Sequence, residues 1–140
     1  MLVLDTDHVS EFQRGASKLS AQLREKLEHS DEIIATSIIT LEEQTRGWLA
    51  RIHHETNPQK QIELYAQLQS LFDFFANWVI LEWNNDAVVI FERLKKAKTR
   101  IGTMDLKIAS ITLANDATLL SRNLRDFQRV SDLRVEDWLS

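Results

Sequence analysis

Acidic residues stand at four places along this chain where a short apolar run ends or a helix begins: Asp5, Glu43 (with Glu42 beside it), Asp105 and Asp126. Asp5 follows Leu2-Val3-Leu4, which reads as a buried strand with a carboxylate at its C-terminal tip. In an open parallel sheet, ligands bind in the crevice beyond such tips. Carboxylates gathered there repel one another unless a cation holds them. Their convergence therefore predicts a hard, oxygen-liganded metal, Mg²⁺ or Mn²⁺. Ions held this way activate water and relieve charge on a leaving oxygen, which is what phosphodiester hydrolysis needs. The acids must come from different elements if they are to surround an ion. Thr6, Ser121 and Asn123 are placed to orient them through hydroxyl and amide groups.

Each acid also has a structural reading. Asp5 and Asp105 suit the start of a helix, where a carboxylate meets free amides and the positive end of the dipole. Asp126 lies in the polar turn Asn123-Leu124-Arg125-Asp126-Phe127, and Glu42 and Glu43 fit a solvated helix face. The metal reading rests on the set, because several strand and helix ends aim acids at one crevice.

The elements that must position these groups alternate between strand and helix, which predicts βα units around a parallel sheet. Strands are expected at Leu2–Leu4, Ile33–Ala35, Trp78–Leu81 and Thr118–Ser121, with a short edge strand at Leu133–Val135. Ile33–Ala35 is fully apolar and reads as central. Helices are expected from about Val9, after Ser17, and from Ser37 or Thr40. The segment His53–Pro58 breaks the third of these. A long helix follows, with Leu64, Leu68, Leu71, Phe72 and Phe75 on one stripe. The two helices around Pro58 form an αα-hairpin over about residues 38–76, whose apolar side chains could meet a second copy. Asn84-Asn85-Asp86 caps a further helix, Arg100–Met104 is a loop, and Asp105 opens the helix that packs Ile108, Ala109, Ile111 and Thr112.

The chain has 140 residues, the size of a single domain covering 1–140, and no cysteine, so a disulfide framework, a thiolate nucleophile and a cysteine zinc site are excluded. No apolar run reaches the roughly 20 residues that span a bilayer. Met1 leads straight into the first strand, and the expectation is a cytoplasmic protein without a membrane partner. The net charge of −4 speaks against a nucleic-acid binder, but its distribution does not. From Arg93 to Arg134 there are ten Lys and Arg against four Asp and Glu, while the remainder carries seven against seventeen. A basic surface beside an acidic pocket suits a polyanionic substrate.

Leu2-Val3-Leu4-Asp5-Thr6-Asp7 resembles the opening motif of PIN-domain nucleases, particularly the VapC toxins of bacterial toxin–antitoxin pairs. Ser37-Ile38-Ile39-Thr40-Leu41-Glu42-Glu43 is similar to their second motif, in a register that selects Glu43 over Glu42. Ile101-Gly102-Thr103-Met104-Asp105-Leu106-Lys107-Ile108-Ala109 resembles their Gly-x-x-Asp-x-x-Ile-Ala motif. Leu119–Phe127 resembles their Thr-x-Asn-x-x-Asp-Phe segment, and Leu133–Trp138 their closing strand and tryptophan. The resemblance implies a three-layer α/β/α sandwich with a central, mostly parallel sheet. It implies a Mg²⁺- or Mn²⁺-dependent endoribonuclease acting on RNA, a homodimer, and inhibition by a small antitoxin. Asp5, Glu43 and Asp105 would be the central metal-binding and catalytic carboxylates, and Asp126 a fourth, more distant one. Asp7 stands where the family often has Asn, in a supporting role with Thr6, Ser121 and Asn123. Gln44, Ser121 and Arg122 depart from the family's usual residues, and the segment from Trp48 to Gln59 is long and charged for it.

Two other classes fit parts of the chain. Leu2–Val9 also suits the opening of haloacid-dehalogenase-type phosphatases, with Asp5 as nucleophile and Asp7 as acid/base. That fold needs a later strand ending in paired aspartates, and Leu119-Leu120-Ser121 ends in none. The other class is a non-catalytic module that keeps the fold. His8, His29, His53 and His54 have no ligand-like company, and none is expected to bind a metal.

Overall fold

The first strand, β1 (Leu2–Leu4), lies in the middle of a sheet ordered β3-β2-β1-β4-β5, with β2 at Ile34–Ser37, β3 at Val79–Leu81, β4 at Thr118–Leu120 and β5 at Arg134–Glu136. All pairings in this computed structural model, which describes residues 1–140, are parallel. Leu4 pairs with Thr36 on one side and Leu120 on the other. The residues that follow β1, β2 and β4 therefore emerge together at one edge of the sheet.

Every connection is helical, as parallel strands require. Helices α1 (Thr6–Arg14) and α2 (Lys18–Glu28) link β1 to β2; α3 (Ile38–His54) and α4 (Pro58–Phe75) link β2 to β3. Helices α5 (Asn85–Lys96) and α6 (Thr103–Ala114) carry the chain from β3 back across the sheet to β4, and the single turn α7 (Leu124–Phe127) precedes β5. Side chains alternate across a strand, so the sheet divides two cores. Val3, Ala35 and Leu119 face α5 and α6, packing on Ala87, Leu94, Ile108 and Ile111. Leu2, Leu4 and Leu120 face the other way, onto Val9, Leu23, Leu71 and Phe75 of α1, α2 and α4. The result is the α/β/α sandwich expected.

The local sequence explains most element ends. Asp5 sits at the N-cap of α1, its Oδ1 accepting from the Thr6 amide at 2.7 Å. The helix therefore begins at Thr6, not near Val9. Ser17 caps α2, Ser37 (not Thr40) caps α3, and Asn84 caps α5. Asn57 caps α4 with Pro58 in its first turn, where the missing N–H costs nothing. Differences from expectation lie at borders. Ile33 is 58% exposed and precedes β2, which extends instead through Thr36 and Ser37. Thr36 fits this buried strand because its hydroxyl donates to the Leu4 carbonyl at 2.8 Å. On α4, Leu71 and Phe75 are buried while Phe72 is 51% exposed. Helix α6 starts at Thr103, which puts Asp105 inside its first turn, and α7 is an element the sequence pattern did not announce.

Candidate active site

At the shared edge of β1, β2 and β4, the predicted acids join one hydrogen-bonded network. Asp5 is at its centre. Its Oδ1 holds the Thr6 amide, and its Oδ2 accepts from the Ser121 hydroxyl at 2.7 Å. Thr6 reaches the other way, its hydroxyl donating to Glu43 Oε2 at 2.8 Å. Ser121 Oγ in turn accepts from the Asn123 amide at 3.0 Å. The Asn123 side chain then donates to Asp126 Oδ2 at 3.1 Å and to Asp105 Oδ2 at 3.4 Å. Thus the acids of α1's cap, α3, α6 and α7 are linked through three small polar residues. Glu42, by contrast, is exposed and pairs with Arg46 at 2.7 Å, so α3 turns Glu43 alone inward.

The cluster is electrostatically unbalanced. Burial, then the charge of Asp7 and to a lesser degree that of Asp105, pushes the Asp5 carboxyl from 3.8 up to about 6, against the opposing hydrogen bonds from Ser121 and Thr6. Asp105 is likewise raised, by burial and then by the charges of Glu43 and Asp126, with the Asn123 hydrogen bond opposing. Asp7 behaves differently. Burial pushes it up, but hydrogen bonds from the His8 ring and the Arg122 amide prevail and leave it below its ordinary value.

His8 explains this contrast. Its ring is fully buried, with Nδ1 2.7 Å from Asp7 Oδ1 and Nε2 3.1 Å from the Trp138 amide nitrogen. An amide N–H can only donate, so Nε2 is the acceptor and the proton sits on Nδ1, facing Asp7. Asp7 also accepts from the Arg122 amide at 2.9 Å. Ser121 has one hydroxyl proton, and the 2.7 Å contact to Asp5 claims it over the 3.4 Å approach to Asp7. Asp7 therefore braces the loop after β4 and is committed to that task. This bracing role of His8 had no signature in the sequence, because the partner amide lies 130 positions away. The Asp-His dipeptide was the only available hint.

The donor set consists of carboxylate oxygens, hydroxyls and an amide, which suits a hard dication and not a soft one. As the side chains stand, no three Asp, Glu or His groups are arranged to hold one ion. The burial and mutual repulsion that raise Asp5 and Asp105 are nevertheless the imbalance a cation would relieve. Arginines 100, 122, 125 and 129 are exposed around the α6–α7 side, with Arg129 Nη1 3.8 Å from Asp126. A basic rim thus borders an acidic floor.

A parallel sheet with helices on both faces and carboxylates converging at its C-terminal edge defines an open α/β fold with its ligand crevice at the strand tips. Comparison with known proteins narrows it: the pattern of the family described as "PIN domain" matches residues 2–133, and this chain belongs to that family. It is 29% identical to Ribonuclease VapC1 of Haemophilus influenzae (strain R2866), the match covering 97% of this chain and 96% of that protein. Among solved structures, VapBC-1 of nontypeable Haemophilus influenzae superposes with a TM-score of 0.73 at 24% identity, covering 99% of this chain and 98% of that one. VapBC2 of Rickettsia felis, solved with a DNA fragment from its promoter, gives a TM-score of 0.71 at 25% identity over 98% of each chain. The phosphatase alternative does not suit the site. That fold needs paired aspartates at the end of a later strand, and β4 ends at Leu120, followed by Ser121, Arg122 and Asn123.

Proposed function

We propose that this chain is a metal-dependent endoribonuclease, the toxin of a toxin–antitoxin pair, that hydrolyses RNA phosphodiester bonds at the Asp5–Glu43–Asp105 cluster. The observation that carries this reading is the single network joining those acids at the sheet's C-terminal edge. Its support from relatives is a protein named as a ribonuclease that aligns along nearly the whole chain. Asp5, Glu43 and Asp105 would hold Mg²⁺ or Mn²⁺, with Asp126 at the periphery. When bound, such an ion makes water nucleophilic at neutral pH and takes up charge on the departing oxygen. Thr6 fixes Glu43, Ser121 fixes Asp5, and Asn123 spans Asp105 and Asp126, so each acid has a partner that sets its direction. The exposed arginines of the rim are placed to attract the RNA backbone.

Solved relatives are VapBC structures, a family of toxin–antitoxin systems. We accordingly assign the chain a small antitoxin partner and a homodimeric state. Leu49 on α3 and Ile62, Tyr65 and Phe72 on α4 are exposed apolar side chains that support such contacts. The test of the enzymatic reading is direct. Purified protein should cleave single-stranded RNA with Mg²⁺ or Mn²⁺, lose that activity in EDTA, and lose it in Asp105→Ala with the fold retained by circular dichroism. Cleavage that survives both EDTA and the substitution overturns it.

A further inference from the structure

Between α1, α3 and α4 the surface opens into a cavity of about 440 Å³. Its walls carry the amides of Gln13, Gln44 and Gln67, the rings of Trp48 and Phe74, and a single charged group, Arg51. No carboxylate lines it. The cavity adjoins the acidic cluster. Gln44 directly follows Glu43 on α3, and Gln13 shares α1 with Asp7, so the cavity begins within about one helical turn of the acids and extends roughly two. The same α1–α3 seam that carries the Thr6–Glu43 bond continues as a reciprocal pair: Gln13 Nε2 donates to Gln44 Oε1 at 3.1 Å, and Gln44 Nε2 donates to Gln13 Oε1 and to Ser10 Oγ, both at 3.3 Å. Each carbonyl keeps a free lone pair, and the amides are already oriented. Arg51 lies over the Trp48 ring at 4.7 Å and forms no ion pair with a carboxylate.

We propose that this cavity is a nucleobase subsite, holding one base of a single-stranded RNA whose neighbouring phosphodiester lies at the carboxylates. The proposal rests on the nuclease reading for that placement. Amide side chains read base edges by paired donor and acceptor contacts. Indole and guanidinium planes stack on bases regardless of sequence. A cavity of this size accommodates a base with room for its sugar. With Arg51 as its only charge, the cavity favours an anionic strand.

The test uses the full chain carrying Asp5→Asn, which binds without cutting, and labelled RNA oligonucleotides identical except for one position bearing each of the four bases or an abasic sugar. Fluorescence anisotropy should show a base preference at one position and a loss of about tenfold for the abasic RNA. Gln67→Leu, on an exposed helix face, and Gln44→Leu should bring all four RNAs down to the abasic level. In wild-type digests of a randomised RNA pool, the same preference should appear at a fixed offset from the cut and flatten in both variants. Equal binding of all five RNAs, or full preference retained in both variants, overturns the proposal. So does a variant that keeps the preference but no longer binds the antitoxin, since that assigns the cavity to the protein partner. If wild type fails to cut RNA while base-selective binding persists, the nuclease reading falls and the subsite stands.

Discussion

Asp5 is asked to do two things, and its titration measures the cost. As the cap of α1 it satisfies the Thr6 amide, and as the hub of the cluster it shares a buried space with other acids. Its folded pKa of about 6 lies above the unfolded 3.8, so the protonated form favours folding. That contribution is complete below 3.8 and is lost as pH rises through 6. Asp5→Asn keeps the cap and removes the charge. In EDTA it should be more stable than wild type above neutral pH, by up to about 3 kcal/mol on the shift of about two units, with the difference vanishing near about pH 4. Urea denaturation at both pH values checks this, and a variant less stable than wild type throughout would mean that capping outweighs repulsion. Metal affinity should run with the same titration. Because a cation must displace the Asp5 proton, Mn²⁺ should bind several-fold more weakly at about pH 5.5 than at about pH 7.5. Calorimetry giving equal affinities would show that Asp5 is not a ligand.

At the scale of elements, the sequence was informative wherever chemistry and periodicity agree. Leu2–Leu4, the Ser17 and Asn84 caps and the Asn57-Pro58 break are local signals, and the elements follow them closely. The acids were legible for the same reason, each standing near the end of an apolar run or the start of a helix. What could not be read depends on residues distant in sequence. The burial of Thr36 depends on a carbonyl 32 positions earlier, and the bracing of Asp7 by His8 on the chain's last strand and tail. Nothing local to Gln44 and Trp48 announces that α1 and α4 close around them. One local feature remains suboptimal. Lys98, just past the α5 C-cap, adopts φ 56°, a left-handed conformation natural to glycine. Lys98→Gly should raise stability by about 0.5–1 kcal/mol, read as a shift of the urea midpoint at unchanged slope. No gain would mean that the αL turn carries no strain, or that the side chain holds it.

For the molecule as a whole, the charge asymmetry and the apolar αα-hairpin lie in different places. The basic rim flanks α6 and α7, whereas Leu49, Ile62, Tyr65 and Phe72 project from α3 and α4. The basic rim and the exposed hairpin side chains can therefore be altered independently by mutation. Phe72→Glu should weaken self-association, seen as a lower mass in sedimentation, with RNA cleavage per chain retained. An unchanged mass would move the dimer contact elsewhere. The order of the sheet carries a final consequence. β1 is central, and the hydroxyl that orients Asp5 arrives 116 residues after it, on the far side of a long crossover. A nascent polypeptide displays Asp5 and Glu43 early but cannot close the sheet around them until Ser121 and Asn123 have emerged. A chain truncated before β4 therefore lacks the groups that orient Asp5, Asp105 and Asp126, and the carboxylate network can close only when synthesis is nearly done.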